Sequence, residues 1–242
     1  MTELQLLLLS LSAMGAAFVQ RVSGFGFGIF IMTILPYLMP SYGEATTLSG
    51  MLASLTSLTI VMRHYRHLVW KRLTVILATF LVVSFFAVGF VSAAGGMVMK
   101  RCLGIVLILA SVWFLFFAGK VHLPSGRPFQ IGMGTLSGIM GGLFGMQGPP
   151  AVLYFVNAAQ TKEEYLVMAQ MYFLIGNIMM TGYRAYHGFL TSDVLTAWLY
   201  GIAATIAGTL IGTYVFRRMS MPILKTLIYI YMAVSGVVCL IR

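Results

Sequence analysis

Residues 4–39 form one apolar block of about 36 positions. As a single helix rising 1.5 Å per residue, it would run roughly 54 Å, well beyond the roughly 30 Å of hydrocarbon in a bilayer. The block therefore has to turn, and Ser23-Gly24-Phe25-Gly26-Phe27-Gly28 is where it can, because glycine takes backbone conformations that other residues avoid. Breaking there leaves two arms of about 17 residues, a hairpin that enters and leaves by one face, with Pro36 and Pro40 closing the second arm. A second long block, residues 129–159, is interrupted in the same way at Gly145-Met146-Gln147-Gly148-Pro149-Pro150.

The two breaks are related. Sliding the chain against itself by 120 positions, with no gap, sets Gly28 on Gly148, Glu44 on Glu164, Ser57 on Asn177 and His67 on His187. We read a tandem repeat, with 1–119 as the first unit and 120–242 as the second, joined by the linker-like residues 120–128. Each unit is expected to hold a broken-helix hairpin followed by three spans, near 45–62, 73–92 and 102–119, then 165–183, 194–216 and 222–241. Corresponding broken segments in two halves of a chain point to a secondary transporter whose binding site lies between them.

Composition agrees and excludes other classes. The chain is 60% hydrophobic and 8% charged, too little polar surface for a water-soluble domain. Its mean hydropathy is +0.96. Helices are the expected spanning element, since lipid offers backbone groups no partners. A net charge of +10 gives no ground for nucleic-acid binding here, because Lys and Arg cluster at helix ends. Cys102 and Cys239 imply no disulfide or metal framework, the 18 methionines form no Met-x-x-Met array, and no catalytic residue or cofactor is expected. Residues 4–11 are similar to a signal-peptide core, but Glu3 stands where a positive charge is needed and the run belongs to a duplicated unit, so retention is expected.

Charge also chooses a topology. If each long block crossed once, the basic residues would divide eight against six between the two sides. If each is a hairpin, Arg63, Arg66, Lys71, Arg72, Lys120, Arg127, Lys162, Arg217, Arg218 and Lys225 share one side and only four face the other. That bias favours inverted repeats, with the basic side cytosolic and both termini on the opposite side. Ser41-Tyr42-Gly43-Glu44 and Thr161-Lys162-Glu163-Glu164 read as capping boxes opening the helices after each hairpin. The sharper alternative for Glu44 and Glu164 is a carboxylate that couples transport to protons.

The candidate site follows from the breaks. Glycine lets backbone N–H groups turn toward a ligand, and a helix starting just beyond adds partial positive charge, so the pair suits an anion. We take Gly24, Gly26, Gly28, Gly145, Gln147, Gly148 and Pro149 as substrate-binding, with Pro149 favoured in a first helical turn and Gln147 supplying an amide. Arg21 joins them as a full charge in an apolar block, its other reading being a snorkelling anchor at the hairpin tip. Ser57, Gln170 and Asn177 fall on helix faces that would line the pathway; polar glue between helices is the competing account of Asn177. Close helix packing is the competing account of the glycines.

Gly24-Phe25-Gly26-Phe27-Gly28 and Gly145-Met146-Gln147-Gly148-Pro149-Pro150, in a duplicated chain of this length, resemble the TauE/SafE family of sulfite exporters. The resemblance spans essentially the whole chain. It implies transport of small sulfur anions such as sulfite, thiosulfate and organosulfonates across the cytoplasmic membrane, mostly in bacteria. The expectation is therefore an all-α polytopic membrane protein that moves a small anion by alternating access, with a proton or other ion as a possible coupling partner. An anion channel and an intramembrane enzyme are the alternatives; the absence of a phosphate-binding loop argues against direct ATP drive.

Overall fold

The computed structural model describes residues 3–93, 96–117 and 126–216, with Ile230, Val234 and Val237 as isolated helical positions. All its elements are helices. The first half has α1 (Glu3–Ser23), the short α2 (Phe27–Ile31) and α3 (Leu35–Leu38), then α4 (Tyr42–His64), α5 (Trp70–Ala93) and α6 (Gly96–Phe117). The second has α7 (Arg127–Phe144), α8 (Gly148–Ala158), α9 (Lys162–Tyr186) and α10 (Ser192–Phe216). Most of the expected span 222–241 and most of the linker lie outside the described residues. Five helices, α1, α4 with its following turn, α5, α9 and α10, are long and apolar enough to cross a membrane. Their outward positions are themselves apolar, as Phe86, Leu199 and Leu210 show, which suits a lipid surround.

Both long blocks break where the glycines stand, by the same device. Gly24 closes α1 at φ 82° with its N–H bonded to the Gln20 carbonyl, and Gly145 closes α7 at φ 69° with its N–H bonded to the Gly141 carbonyl. These are left-handed helix caps, a conformation that costs any residue with a β-carbon. The first return arm is shorter than the sequence reading has it. After the first break the chain makes only five residues of α2 before bending, and it restarts as α3 with Pro36 in the first turn. Pro36 has no N–H to give to the carbonyl four residues back, so α2 and α3 cannot fuse. The second return arm, α8, has 11 residues and likewise starts with two prolines in its first turn.

Capping fixes the helices that follow. Ser41 Oγ accepts from Glu44 N at 3.2 Å and Thr161 Oγ1 from Glu164 N at 3.1 Å, so both capping residues act as expected. Glu164 has a second duty: it pairs with Arg72, which also donates to the Ala158 carbonyl. That one side chain ties the start of α5 to the end of α8 and the first turn of α9.

Packing is reciprocal between the halves. Helices α4 and α9 lie antiparallel at the centre, with Ser57 hydrogen-bonded to Gln170 at 3.0 Å. The mate of that contact under the 120-residue offset is Gly50 with Asn177, and a β-carbon on Gly50 would indeed lie 3.8 Å from Asn177 Oδ1. Around this pair, α1 lies along α10 and α7 along α5, so each long hairpin arm packs on a helix of the other half. Small residues make this possible. Gly134, Gly138 and Gly142 turn one face of α7 onto the backbone and β-carbons of α5, and Gly208 sits against the Met14 carbonyl.

Candidate functional site

The two breaks meet. Gly28, in the first turn of α2, lies against the carbonyl of Gly145 so closely that a β-carbon would fall well inside 3.0 Å of that oxygen and 3.1 Å from its carbon. The reciprocal contact is Gly148 against Phe25, where an added β-carbon would sit at an ordinary 3.5 Å. Around this crossing is a cavity of about 30 Å³, lined from the first break by Phe25, Gly26, Phe27 and Gly28 and from the second by Gly145, Met146, Gln147 and Gly148. Gln20, Ile29, Ala53, Phe173 and Asn177 complete it. Ala53 and Phe173 are close to the midpoints of α4 and α9, so the crossing sits at mid-depth of the two central helices. A cavity of this size holds about two waters.

Polar groups at the crossing are arranged in two networks. On one side, Gln20 Nε2 donates to Ser57 Oγ and to Gln170 Oε1, both at 2.9 Å, and Gln170 Nε2 donates to the Gly24 carbonyl at 2.6 Å. The polar residues of α1, α4 and α9 thus hold the carbonyl that ends α1. On the other side, Gln147 Nε2 donates to Asn177 Oδ1 at 3.1 Å, while Ser137 donates to the Gln147 carbonyl and receives from Tyr172 at 2.7 Å. The side-chain oxygens of Gln20 and Gln147 are buried without a partner. A carboxamide left half-paired in a cavity is costly, and turning it over exchanges an acceptor for a donor.

The break glycines, Gln147 and Asn177 are therefore brought together, and Ser57 and Gln170 stand one hydrogen bond behind them through Gln20. Gly24 is held by Gln170 and lies outside the cavity lining; Pro149 is buried in the first turn of α8 without facing it. Arg21 is not brought to the crossing. It points from α1 toward α10, where its Nε donates to Thr213 Oγ1 at 2.8 Å, and it lines a different cavity.

The charge nearest the crossing is Arg184, 1% exposed and the largest fully buried side chain described. Its Nη1 donates to the Thr46 carbonyl at 3.0 Å, and its Nη2 to the carbonyls of Gly141 at 2.9 Å and Gly142 at 3.4 Å. Among the described residues the only ion pair is Arg72 with Glu164, so no carboxylate pairs with Arg184, whose hydrogen bonds go to these carbonyls and, at 4.0 Å, to the Met180 sulfur. Those of Gly141 and Gly142 belong to the last turn of α7, the negative end of its dipole, aimed at the break. A guanidinium there turns a surface that would repel an anion into one that does not. Arg184 stands in the last turn of α9, where a basic residue ordinarily serves as a helix-end anchor, and nothing in its sequence position shows that α7 ends against it. Gln20 is likewise a residue the sequence reading passes over, a lone amide in an apolar block beside the more conspicuous Arg21.

The comparisons with known proteins bear on this geometry. A family model described as Sulfite exporter TauE/SafE matches residues 9–239, nearly the whole chain. The chain belongs to the TauE/SafE sulfite exporter family. It is an all-helical, multi-pass membrane transporter of that family. A relative from Cupriavidus necator, described as a probable sulfite/organosulfonate exporter TauE, is 22% identical over 218 residues, covering 87% of this chain and 84% of the relative. No solved structure matches significantly. The two breaks on which the sequence resemblance rests are the segments that line the central cavity.

Proposed function

We propose that the protein is a secondary transporter of a small sulfur oxyanion or organosulfonate, working by alternating access about the crossing of its two broken helices. The observation that carries this reading is the meeting of Gly28 and Gly145 around a buried cavity made equally from both halves. The backbone N–H groups of residues 26–29 precede the first intrahelical bond of α2, donated by Phe30 to Gly26, and those of Gln147 and Gly148 open α8. They stand in for the hydration shell of an anion; the Gln20 and Gln147 amide N–H groups are spent on Ser57, Gln170, Phe173 and Asn177 as they stand, and join the cage only when those carboxamides turn over. Arg184 offsets the carbonyl end of α7 behind it.

Inverted repeats fit the reciprocal contacts. Ser57 with Gln170 exchanges with Gly50 and Asn177, Gly28 with Gly145 exchanges with Gly148 and Phe25, and α1 on α10 exchanges with α7 on α5, as a two-fold axis through the crossing requires. Rocking one half on the other opens the crossing first to one side and then to the other. The end of the molecule that carries Arg63, Arg66 and Arg72 is assigned to the cytosol by the positive-inside rule, in a bacterial cytoplasmic (inner) membrane, with both termini on the far side.

The test is flux in proteoliposomes. Labelled sulfite, thiosulfate and a small sulfonate are offered to the reconstituted protein with and without a proton gradient. Saturable uptake that accumulates against a concentration gradient when a proton gradient is imposed supports the reading. Passage that only ever dissipates a gradient would assign the protein to the channels, and no flux of any of the three by folded protein would remove the sulfur-anion assignment.

A further inference from the structure

A second cavity, about 260 Å³, opens between α1, α4 and α10. Its basic end is formed by Arg21, Arg63 and His64, and one wall by Thr205, Thr209 and Thr213 of α10. These threonines are four residues apart, so they present their hydroxyls along one face of the helix. Two are internally satisfied: Thr209 donates to the Thr205 carbonyl and Thr213 to the Thr209 carbonyl, each at 2.8 Å. Thr205 is the exception. It is 1% exposed and its hydroxyl has no partner, a costly state for a buried polar group unless a guest supplies one.

Charge in and around the cavity has one dominant sign. No carboxylate is among the residues that line it. The charged groups acting on His64 are Arg21, Arg63 and His67, with Glu163 at the start of α9 as the one opposing charge. Neighbouring residues of α1 serve the two cavities: Gln20 faces the crossing and Arg21 faces this one. Exposed Leu58, Ile206 and Leu210 flank the opening toward lipid.

We propose that this cavity is a second oxyanion site, a basic vestibule that holds an anion one helix away from the crossing. It rests on the anion-transport reading for its purpose but not for its binding chemistry. Arg63 and His64 engage the oxyanion at the mouth, Arg21 stays anchored on Thr213 while contributing its charge, and the Thr205 hydroxyl faces whatever reaches the inner end. The recognised group is a tetrahedral or pyramidal oxyanion, either free in solution or carried on the head of a lipid whose chains lie along Leu58 and Leu210.

The experiment uses the full chain in two settings. In neutral detergent, thermal unfolding is followed while sodium sulfate replaces chloride at constant ionic strength. In nanodiscs of phosphatidylcholine, the same unfolding is followed with and without phosphatidylglycerol. Wild type is compared with Arg63→Gln/His64→Gln, both at exposed or half-buried positions that folding tolerates, and with Gln147→Leu at the crossing. The expected result is a sulfate midpoint shared by wild type and Gln147→Leu and raised about tenfold in the double variant, the loss of one charge-assisted contact. Stabilisation by phosphatidylglycerol but not sulfate, lost in the double variant, supports the site and identifies a lipid head as its source. A sulfate response lost in Gln147→Leu and kept in the double variant would overturn it, as would a double variant indistinguishable from wild type in both settings. Sulfite flux measured on the same proteins separates the two ideas, because binding at the vestibule without any flux leaves this site standing and removes the transport reading.

Discussion

Replacing Gly28 by alanine tests the crossing most directly. The added methyl group would fall well within 3.0 Å of the Gly145 carbonyl oxygen and 3.1 Å from its carbon. Both are backbone atoms, so no side chain can swing aside, and one break has to retreat from the other by roughly 1 Å to restore ordinary contact. Overpacking of this kind costs about 1–3 kcal/mol. Misplacing a binding group by about 1 Å can itself reduce a rate by roughly 100-fold. Gly148→Ala is the internal control, since the same methyl there meets Phe25 carbons at 3.5 Å and Phe173 Cζ at 3.8 Å, all at ordinary contact distance. Sulfite flux in proteoliposomes, with thermal unfolding in detergent run alongside, is expected to fall at least roughly tenfold for Gly28→Ala with a modest loss of stability, and to stay near wild type for Gly148→Ala. If Gly28→Ala transports and melts like the wild type, the two breaks do not touch as described and the argument from their contact fails.

Other perturbations separate charge, backbone and network. Arg184→Lys keeps a cation but cannot bridge the carbonyls of Thr46 and Gly141 together, whereas Arg184→Gln removes the charge; a flux that survives in the first and is lost in the second identifies charge as what matters, while equal loss in both identifies the bridge. Gln147→Leu removes the bond to Asn177 with little change in volume and is expected to weaken sulfite uptake about tenfold without unfolding the protein, read as a rise in half-saturating concentration. Gly24→Ala forces a β-carbon into φ 82° and should lower stability by about 1–2 kcal/mol in thermal unfolding. Arg72→Gln and Glu164→Gln, singly and together, form a double-mutant cycle for which about 1 kcal/mol of coupling is expected, the Arg72 side chain being 31% exposed; no coupling at all would show that the α5, α8 and α9 junction is held by other contacts.

The sequence is informative where local chemistry decides the outcome. Left-handed glycine caps and Ser or Thr capping residues act within a few positions of themselves, so Gly24, Gly145, Ser41 and Thr161 could be read one by one. The 120-residue offset that sets Gly28 on Gly148 also relates the two breaks within the sequence. The length of the first return arm was less accessible, because Pro36 separates α2 from α3 through a bond it fails to make rather than through any change in hydropathy. Least legible were the partners of single polar residues in apolar helices. Gln20 and Arg21 are adjacent in sequence and differ by about 100° around α1. One faces the crossing and the other faces α10, and the choice depends on which neighbours α1 acquires. Arg184 is the same lesson at the other end: a basic residue near a helix terminus normally serves as an anchor, and only the arrival of the last turn of α7 makes it a buried cap for carbonyls.

This distribution of charge has a consequence for turnover. The crossing is lined by backbone, amides and apolar side chains, with no ionised side chain among the described residues that line it, while positive charge stands back from it as Arg184 on one side and as Arg21, Arg63 and His64 around the second cavity. An arginine inside the cavity would bind an oxyanion tightly in a medium that screens poorly, and a carrier gains nothing from a cargo it cannot release. On the transport reading proposed above, withdrawing the charge by one layer would leave enough potential to admit an anion and exclude a cation, while the direct contacts would be neutral hydrogen bonds that a small rocking motion undoes. Placing an arginine into the lining through Gln147→Arg should therefore lower the half-saturating concentration and the maximal rate together. A variant with tighter binding and an undiminished maximal rate would show that release from the crossing does not limit the cycle.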